Sequence, residues 1–291
     1  MATPALSSLF AQTFQTSASL DVKASDSFSS LRTISVAAAY YRLFLAGSVL
    51  DPAPGVTQFA RLLESKAFGQ TLLNTFRIAA TVTAVCVVLG FLVAVRIATL
   101  EKTVAAILIG LIVLTVWISL LVRNYAWMVV LGRQGLLSRL LQAVGLIDAP
   151  TSFLYNEFAV VVAMTHILIP YVIIPTVASL RAIDKSYVRA AMSLGARPTG
   201  VFRSVILPLS MPGVVTGAVI VFVMALGFYV TPALTGGRGQ MMVAMLIEGA
   251  VSNELNWGYA AAQALVLLAF TLLVLYFYNR RYGVSRLWGG V

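Results

Sequence analysis

Apolar residues in this chain come in runs far longer than one face of a soluble helix requires, and charges mark their ends. Uncharged stretches lie between Arg77 and Arg96, Lys102 and Arg123, Glu157 and Arg181, Arg203 and Arg238, and Glu254 and Arg280; they hold 18, 20, 23, 34 and 25 residues. A helix rises about 1.5 Å per residue, so about 20 apolar residues cross a hydrocarbon core of roughly 30 Å. Each run can span. The pattern predicts five transmembrane helices, near 71–98, 103–122, 157–180, 204–232 and 258–281. A sixth segment, 34–50, is short and carries Arg42 near its middle, where a cation costs about 2.5–3.5 kcal/mol on insertion scales. It either spans with Arg42 snorkelling to the interface or lies along the interface. Residues 1–33, rich in Ser, Thr and Ala without an apolar core, read as a disordered tail rather than a cleaved leader.

Between the second and third predicted spans, 123–156 is expected to be a long loop. Leu136, Leu137, Leu140, Leu141 and Val144 recur within it at helical spacing. They predict an amphipathic helix, lying on the interface or packed against neighbouring spans.

Composition fixes the class. The chain is 60% hydrophobic and 10% charged, whereas soluble domains carry about 25% charged residues. The prediction is an all-α membrane protein, a bundle of five to six helices. The net charge of +10 is read as topology and lipid contact rather than nucleic-acid binding. Ten Lys and Arg fall on one side: Arg96, Lys102, Arg181, Lys185, Arg189, Arg197, Arg203, Arg280, Arg281 and Arg286. Four fall on the other: Arg123, Arg133, Arg139 and Arg238. The ten-residue side is expected to be cytoplasmic, the C-terminus with it, and parity favours six spans. Cys86 is the single cysteine, so no internal disulfide or cysteine metal site is possible.

The span interiors hold almost no ionisable groups, unlike ion-coupled carriers. His166, between Pro170 and the preceding apolar run, is the exception; it is read as either a proton relay or a histidine satisfied by a neighbouring backbone or hydroxyl group. Pro170 and Pro175 are expected to bend that helix. No paired-His zinc spacing, phosphate-binding glycine loop or nucleophile with a base occurs, so an enzyme is not expected.

Patterned polarity returns in "DKSYVRAAMSLGARPTGVFRSVILPLSMPG", 184–213. A short helix is predicted over 184–198, started by Asp184 or Ser186 and stopped by Gly195, with Pro198 beyond. Ala190, Ala191, Leu194 and Gly195 form one face of mainly small residues, with Lys185, Arg189 and Arg197 around it. Such a face suits either close approach of a partner or packing on the protein's own helix ends. Pro208 and Pro212, with Gly213 and Gly217, stiffen the junction with the following span and allow close helix contact.

This stretch resembles the cytoplasmic loop of membrane subunits of binding-protein-dependent ABC importers, an EAA motif followed after three residues by Gly and then by a proline-rich segment. The matching positions are Ala190, Ala191, Gly195, Ala196, Leu207, Pro208, Pro212 and Gly213. Arg189 stands where that family has Glu. "NTFRIA" at 74–79, "RNYAW" at 123–127, "GLLSRLLQAVGL" after it, "IPYVIIP", "VTPALTGG" at 230–237 and "NRRYG" look like permeases of the spermidine/putrescine subgroup; iron(III) and thiamine importers share parts of the pattern.

The resemblance covers about 61–291 and implies a type I importer fold in the bacterial inner membrane, with 34–60 as a weak first segment and outer loop. It implies two permease subunits, identical or homologous, and separate ABC ATPase subunits that bind ATP and Mg; this chain itself needs no cofactor. A periplasmic or lipid-anchored binding protein would deliver the solute. It further implies that Asp184–Gly213 couples to the ATPase. For a polyamine cargo, carboxylates and aromatic faces at the outer side would hold ammonium groups. Tyr125, Trp127, Glu157, Tyr229, Glu248 and Trp257 are the pathway candidates, with Asp148, Glu254 and Tyr259 nearby in sequence; interfacial aromatic belts and solvated loop acids explain the same residues equally. A self-sufficient carrier or channel is the alternative.

Arg189 generates a charge-swap test. Arg189→Glu should impair ATP-driven transport, and reversal of the facing acid in the ATPase should restore it; absence of coupling in the double variant would exclude an ion pair there.

Overall fold

A computed structural model describes residues 59, 61–62 and 64–282. The expectations for the tail 1–33, the segment 34–50 and Arg286 fall outside the described residues. Within them all regular structure is helical. Helix α1 spans Lys66–Thr99, α2 Lys102–Trp117, α3 Leu120–Leu131 and α4 Leu136–Ala143. Next come α5, Glu157–Leu168, α6, Pro170–Arg181, and the short α7, Lys185–Ser193. Helix α8 runs over Pro198–Leu226, followed by α9, Val230–Thr235, α10, Val243–Ser252, and α11, Trp257–Tyr282.

Three helices, α1, α8 and α11, are long and apolar enough to cross a membrane alone; two bent pairs bring the number to as many as five. One pair is α5 with α6, which meet at 46°. The cause was legible in the sequence: Pro170 has no N–H for the carbonyl of His166, so the helical ladder stops there. The other pair, α2 with the α3–α4 segment, is bent by 95° and corrects the predicted span 103–122. Helix α2 ends at Trp117, and Ile118 and Ser119 are extended. No Gly or Pro marks this break. Thr115 turns its hydroxyl back onto the Ile112 carbonyl at 2.6 Å, and α3 instead packs against α5 and α9 with Asn124 buried.

The expected loop at 123–156 is therefore helical over its first nine residues, 123–131, and only then irregular. The amphipathic helix inside it forms at Leu136–Ala143, with Leu136 and Leu140 exposed. The fourth predicted span, 204–232, is displaced toward its start: it begins at Pro198 and closes at Leu226, where Gly227 and Phe228 leave the helix before α9. Helix α10 is a further apolar half-length helix.

Helices α1, α6 and α8 pack mutually and make the centre. Ile78, Val82 and Cys86 of α1 meet Val172 of α6, Val221 and Ala225 of α8, and Met164 and Leu168 of α5, all buried. Cys86 serves as a small apolar residue, its Sγ 3.7 Å from the Thr165 carbonyl. Between α6 and α8 the backbones nearly touch. A Cβ on Gly213 would collide with the carbonyl oxygen of Pro175, and one on Gly217 would sit 2.7 Å from the Cα of Val172. The paired glycines thus do what their spacing predicted. Apolar side chains left exposed on α2 and α11, Leu111, Leu114, Leu272 and Leu273 among them, face what a membrane or a second helical surface would fill.

Enlarging Gly217 tests this contact. Gly217→Leu should lower the midpoint of thermal unfolding in detergent, by an overpacking penalty of about 1–3 kcal/mol or more; an unchanged midpoint would mean that α6 and α8 separate freely.

Candidate functional site

Helix α7 stands exposed at the junction of α6 and α8. Asp184 caps it: its Oδ1 accepts from the N–H of Ser186 at 2.8 Å, and its carbonyl from Tyr187 at 3.2 Å. At the other end Gly195 takes φ +82°, and the Ala196 N–H reaches back five residues to the Ala191 carbonyl at 3.1 Å. That closing pattern needs a left-handed residue, which glycine adopts without a Cβ clash. No residue of α7 is buried. Leu194 is 89% exposed and Tyr187 59%, and Ala190 lies between them at helical spacing, so the three form an apolar ridge facing outward. Ala191 and Val188 are half-buried and turn toward the start of α8, against which α7 rests. The small-residue face inferred from sequence is thus divided: Ala190, Leu194 and Gly195 point away, and Ala191 holds the helix to its base. Arg189 is exposed.

That base is unusually stiff. Pro198 opens α8 with its fixed φ. Pro208 then removes the N–H that would meet the Ser204 carbonyl, and the ladder shifts to a π-helical stretch over Phe202–Ile206, with the Leu207 N–H bonding to the Phe202 carbonyl. Pro212 follows on the same helix, Gly213 sits against α6, and Ser179 of α6 reaches the Leu209 carbonyl at 3.5 Å. Leu207, Pro208, Pro212 and Gly213 therefore join α7 to the centre of the bundle through one continuous helix.

The outer-side candidates are more scattered. Trp127 of α3 stacks edge-on to His166 of α5, ring centroids 5.6 Å apart. His166 lines an apolar cavity of about 390 Å³ with Trp127, Val122 and Val130. Asn156 caps the start of α5, and Glu157, its first residue, is already paired with Arg77 of α1 at 2.7 Å. Tyr259 lies beneath the guanidinium of Arg61, 5.6 Å from its ring centre. Tyr125 and Trp257 are exposed, Tyr229 stands at the break between α8 and α9, and Glu248 is half-buried on α10.

What sequence reasoning missed is the third turn of α1. Asn74 donates both amide hydrogens, to the carbonyls of Gly239 and Met241, each at 2.9 Å. Thr75, buried, accepts the Val243 N–H at 2.9 Å and so caps α10. Arg77 bridges to Glu157 and to Asn74 Oδ1. Three polar residues on one turn tie the 238–243 segment and α5 to α1. Their polarity inside an otherwise apolar run was the available signal. The glycines of "VTPALTGG" fit the same region: a Cβ on Gly236 would lie 2.6 Å from the Pro232 carbonyl, and one on Gly237 2.5 Å from that of Tyr155.

Residues 59–286 match the family described as binding-protein-dependent transport system inner membrane component. The chain belongs to this family. It is a permease subunit of an ABC importer, a multi-pass inner-membrane protein and not an enzyme. The permease is 31% identical over 222 residues to the spermidine/putrescine transport system permease protein PotB of Salmonella typhimurium, covering 76% of this chain and 77% of that one. It is 32% identical over 218 residues to the molybdenum transport system permease protein ModB of Mycobacterium bovis, covering 75% and 81%. Among solved structures, a bacterial ABC transporter that imports the acidic polysaccharide alginate superposes with a TM-score of 0.66 at 17% identity, over 94% of each chain. The MetNI methionine transporter in inward-facing form gives 0.51 at 17%, over 75% of this chain and 97% of that. These two establish the permease fold.

The Asp184 cap carries a pH signature. Its hydrogen bonds from Ser186, the backbone N–H foremost, hold the carboxyl below the ordinary aspartate range. A carboxylate whose folded value lies below its unfolded value of about 4 stabilises fully above that pH and loses its contribution as pH falls through the folded value. Amide-exchange protection in the first turn of α7 should therefore hold from neutral pH to about 4 and decline below. Asp184→Asn should abolish that acid-side decline.

Proposed function

We propose that this permease forms half of the pathway of an ATP-driven importer of polyamines of the spermidine/putrescine class, with α7 as the cytoplasmic helix gripped by a separate ATPase. The observation that carries the cargo is the 31% identity to PotB along three quarters of the chain. The coupling role is supported by the outward ridge of Tyr187, Ala190 and Leu194 on a helix whose base is locked to the bundle by prolines and glycines. Orientation is argued from the cations gathered around α7, Arg96, Lys102, Arg181, Lys185, Arg189, Arg197 and Arg203, which mark a cytoplasmic side; the end of α11 at Arg280 is read as lying on it too. ATP and Mg belong to the ATPase. A solute-binding protein delivers cargo from outside, and a second permease, identical or homologous, completes the pathway.

Closure of the ATPase pair on ATP draws the two α7 helices together, and α8 carries that motion to the centre as a rigid-body change. At the outer side Glu248, Tyr229, Tyr125 and Trp257 are the residues that would meet an ammonium group, by charge and by cation–π contact. Glu157 and Trp127 contribute differently: their partners Arg77 and His166 make them parts of the scaffold around that path.

Reconstitution with the co-purifying ATPase and binding protein tests both parts. Labelled spermidine or putrescine should accumulate only with ATP, and excess molybdate, iron(III) or thiamine should not compete. Leu194→Asp should cut uptake more than about tenfold while the protein remains in the membrane, because a carboxylate forced into an apolar docking groove costs several kcal/mol. Accumulation without ATP would overturn the importer reading; competition by another solute would overturn the cargo alone.

A further inference from the structure

Directly beneath α7 lies a cavity of about 490 Å³ that neither the coupling ridge nor the solute pathway uses. It is walled by the end of α1, the start of α2, the end of α6 and the π-helical part of α8. Its floor is apolar: Val95, Leu180, Val188, Phe202 and Ile206. Three cations line it, Lys102, Arg181 and Lys185, all exposed and with no ion pair among the described residues. Two acids stand beside them in the chain, Asp184 next to Lys185 and Glu101 next to Lys102; Asp184 is engaged through Oδ1 as the α7 cap, and neither forms an ion pair with the three cations. Lys102 and Lys185 each stand at the first position of a helix, where unpaired N–H groups also favour an anion.

A second cavity of about 520 Å³ adjoins the first at Leu100, which lines both. It runs along the α1–α2 hairpin between Leu92, Leu108, Leu111 and Ile112, with Arg96 the one cation on its wall. The two together have the layout of an amphiphile: a cationic seat where α1 and α6 end and α2 begins, hence at the edge of the hydrocarbon, leading into an apolar trough inside it. A soluble phosphate would use only the seat. A phospholipid uses both.

We propose that an anionic phospholipid binds here as a built-in element of the permease, its phosphate held by Lys102, Arg181 and Lys185 and one acyl chain laid in the trough, wedged between α7 and the bundle. Basic pockets between spans on the cytoplasmic side recognise anionic headgroups in this manner, each Lys or Arg contributing about fivefold in affinity. Lodged under Val188 and against Phe202, the lipid braces the base on which α7 stands, so leaflet charge tunes the stiffness of the coupling element. The inference depends on the spans ending at this level, and on neither the cargo nor the ATPase.

Native mass spectrometry tests it on the full chain released from vesicles of equal parts phosphatidylglycerol and phosphatidylcholine. Phosphatidylglycerol should be retained in preference, and the K102Q/R181Q/K185Q variant should lose that preference by on the order of a hundredfold. The charge-conserving K102R/K185R variant should keep it, which separates charge loss from misfolding, and Arg280→Gln, at the end of α11, should change nothing. Leu92→Gln with Leu111→Gln should weaken retention with all cations in place. Equal retention of the two lipids, an unaffected triple-Gln variant, or displacement of the lipid by inorganic phosphate at matched concentration would overturn the proposal.

Discussion

Backbone contact between α6 and α8 is the constraint on which the rest of the molecule depends. Lipid is as apolar as leucine, so helices in a bilayer gain nothing from hiding hydrophobic side chains from one another; close van der Waals approach has to hold them. Gly213 and Gly217 permit that approach, and the facing residues Pro175, Val172 and Tyr171 supply backbone rather than bulky side chains at the contact. Pro175 also leaves the Tyr171 carbonyl without its helical donor, and the Gly217 backbone passes close to that same oxygen. Everything functional is referred to this seam: α7 stands on the helix that makes it, and α1 packs across it.

The two ends of the molecule are built on opposite principles. On the α7 side, order comes from covalent stiffness: a capped helix, a left-handed glycine, three prolines in the opening turns of α8 and a π-helical register shift. On the opposite side, order comes from polar side chains reaching across sequence, Asn74 to the 239–241 carbonyls, Thr75 to α10, Arg77 to Glu157. A stiff rod suits a part that must transmit force. Polar ties suit a part that must rearrange without leaving groups buried and unpaired.

How much of this was legible in the sequence depended on whether the signal was local. The α7 helix was readable from its ends because Asp184 and Gly195 act on their immediate neighbours, although it closes at Ser193 rather than running to 198, and the α5–α6 bend because Pro170 acts on its own turn. The break at Ile118 and Ser119 was not readable, since its cause is the packing of α3 against α5 and α9, and the residues involved are as apolar as those of a continuous span. Helix α10 was missed for a related reason: ten apolar residues are too few to register as a crossing. The partners of Asn74 and Thr75 lie about 165 residues away, a distance that hydrophobic periodicity does not encode, and Glu157 and Arg77, paired in the fold, are 80 residues apart in the chain.

The Asn74–Thr75–Arg77 turn also limits how the molecule can open to the exterior. The 239–243 segment and the start of α5 are both fastened to α1 through it. Movement has to be taken up where the helical ladder is already interrupted, at 118–119, at 169–170 and between Leu226 and Tyr229. Those three breaks lie in different segments of the chain and outside the polar knot, which leaves the knot as the fixed reference against which each of them can bend.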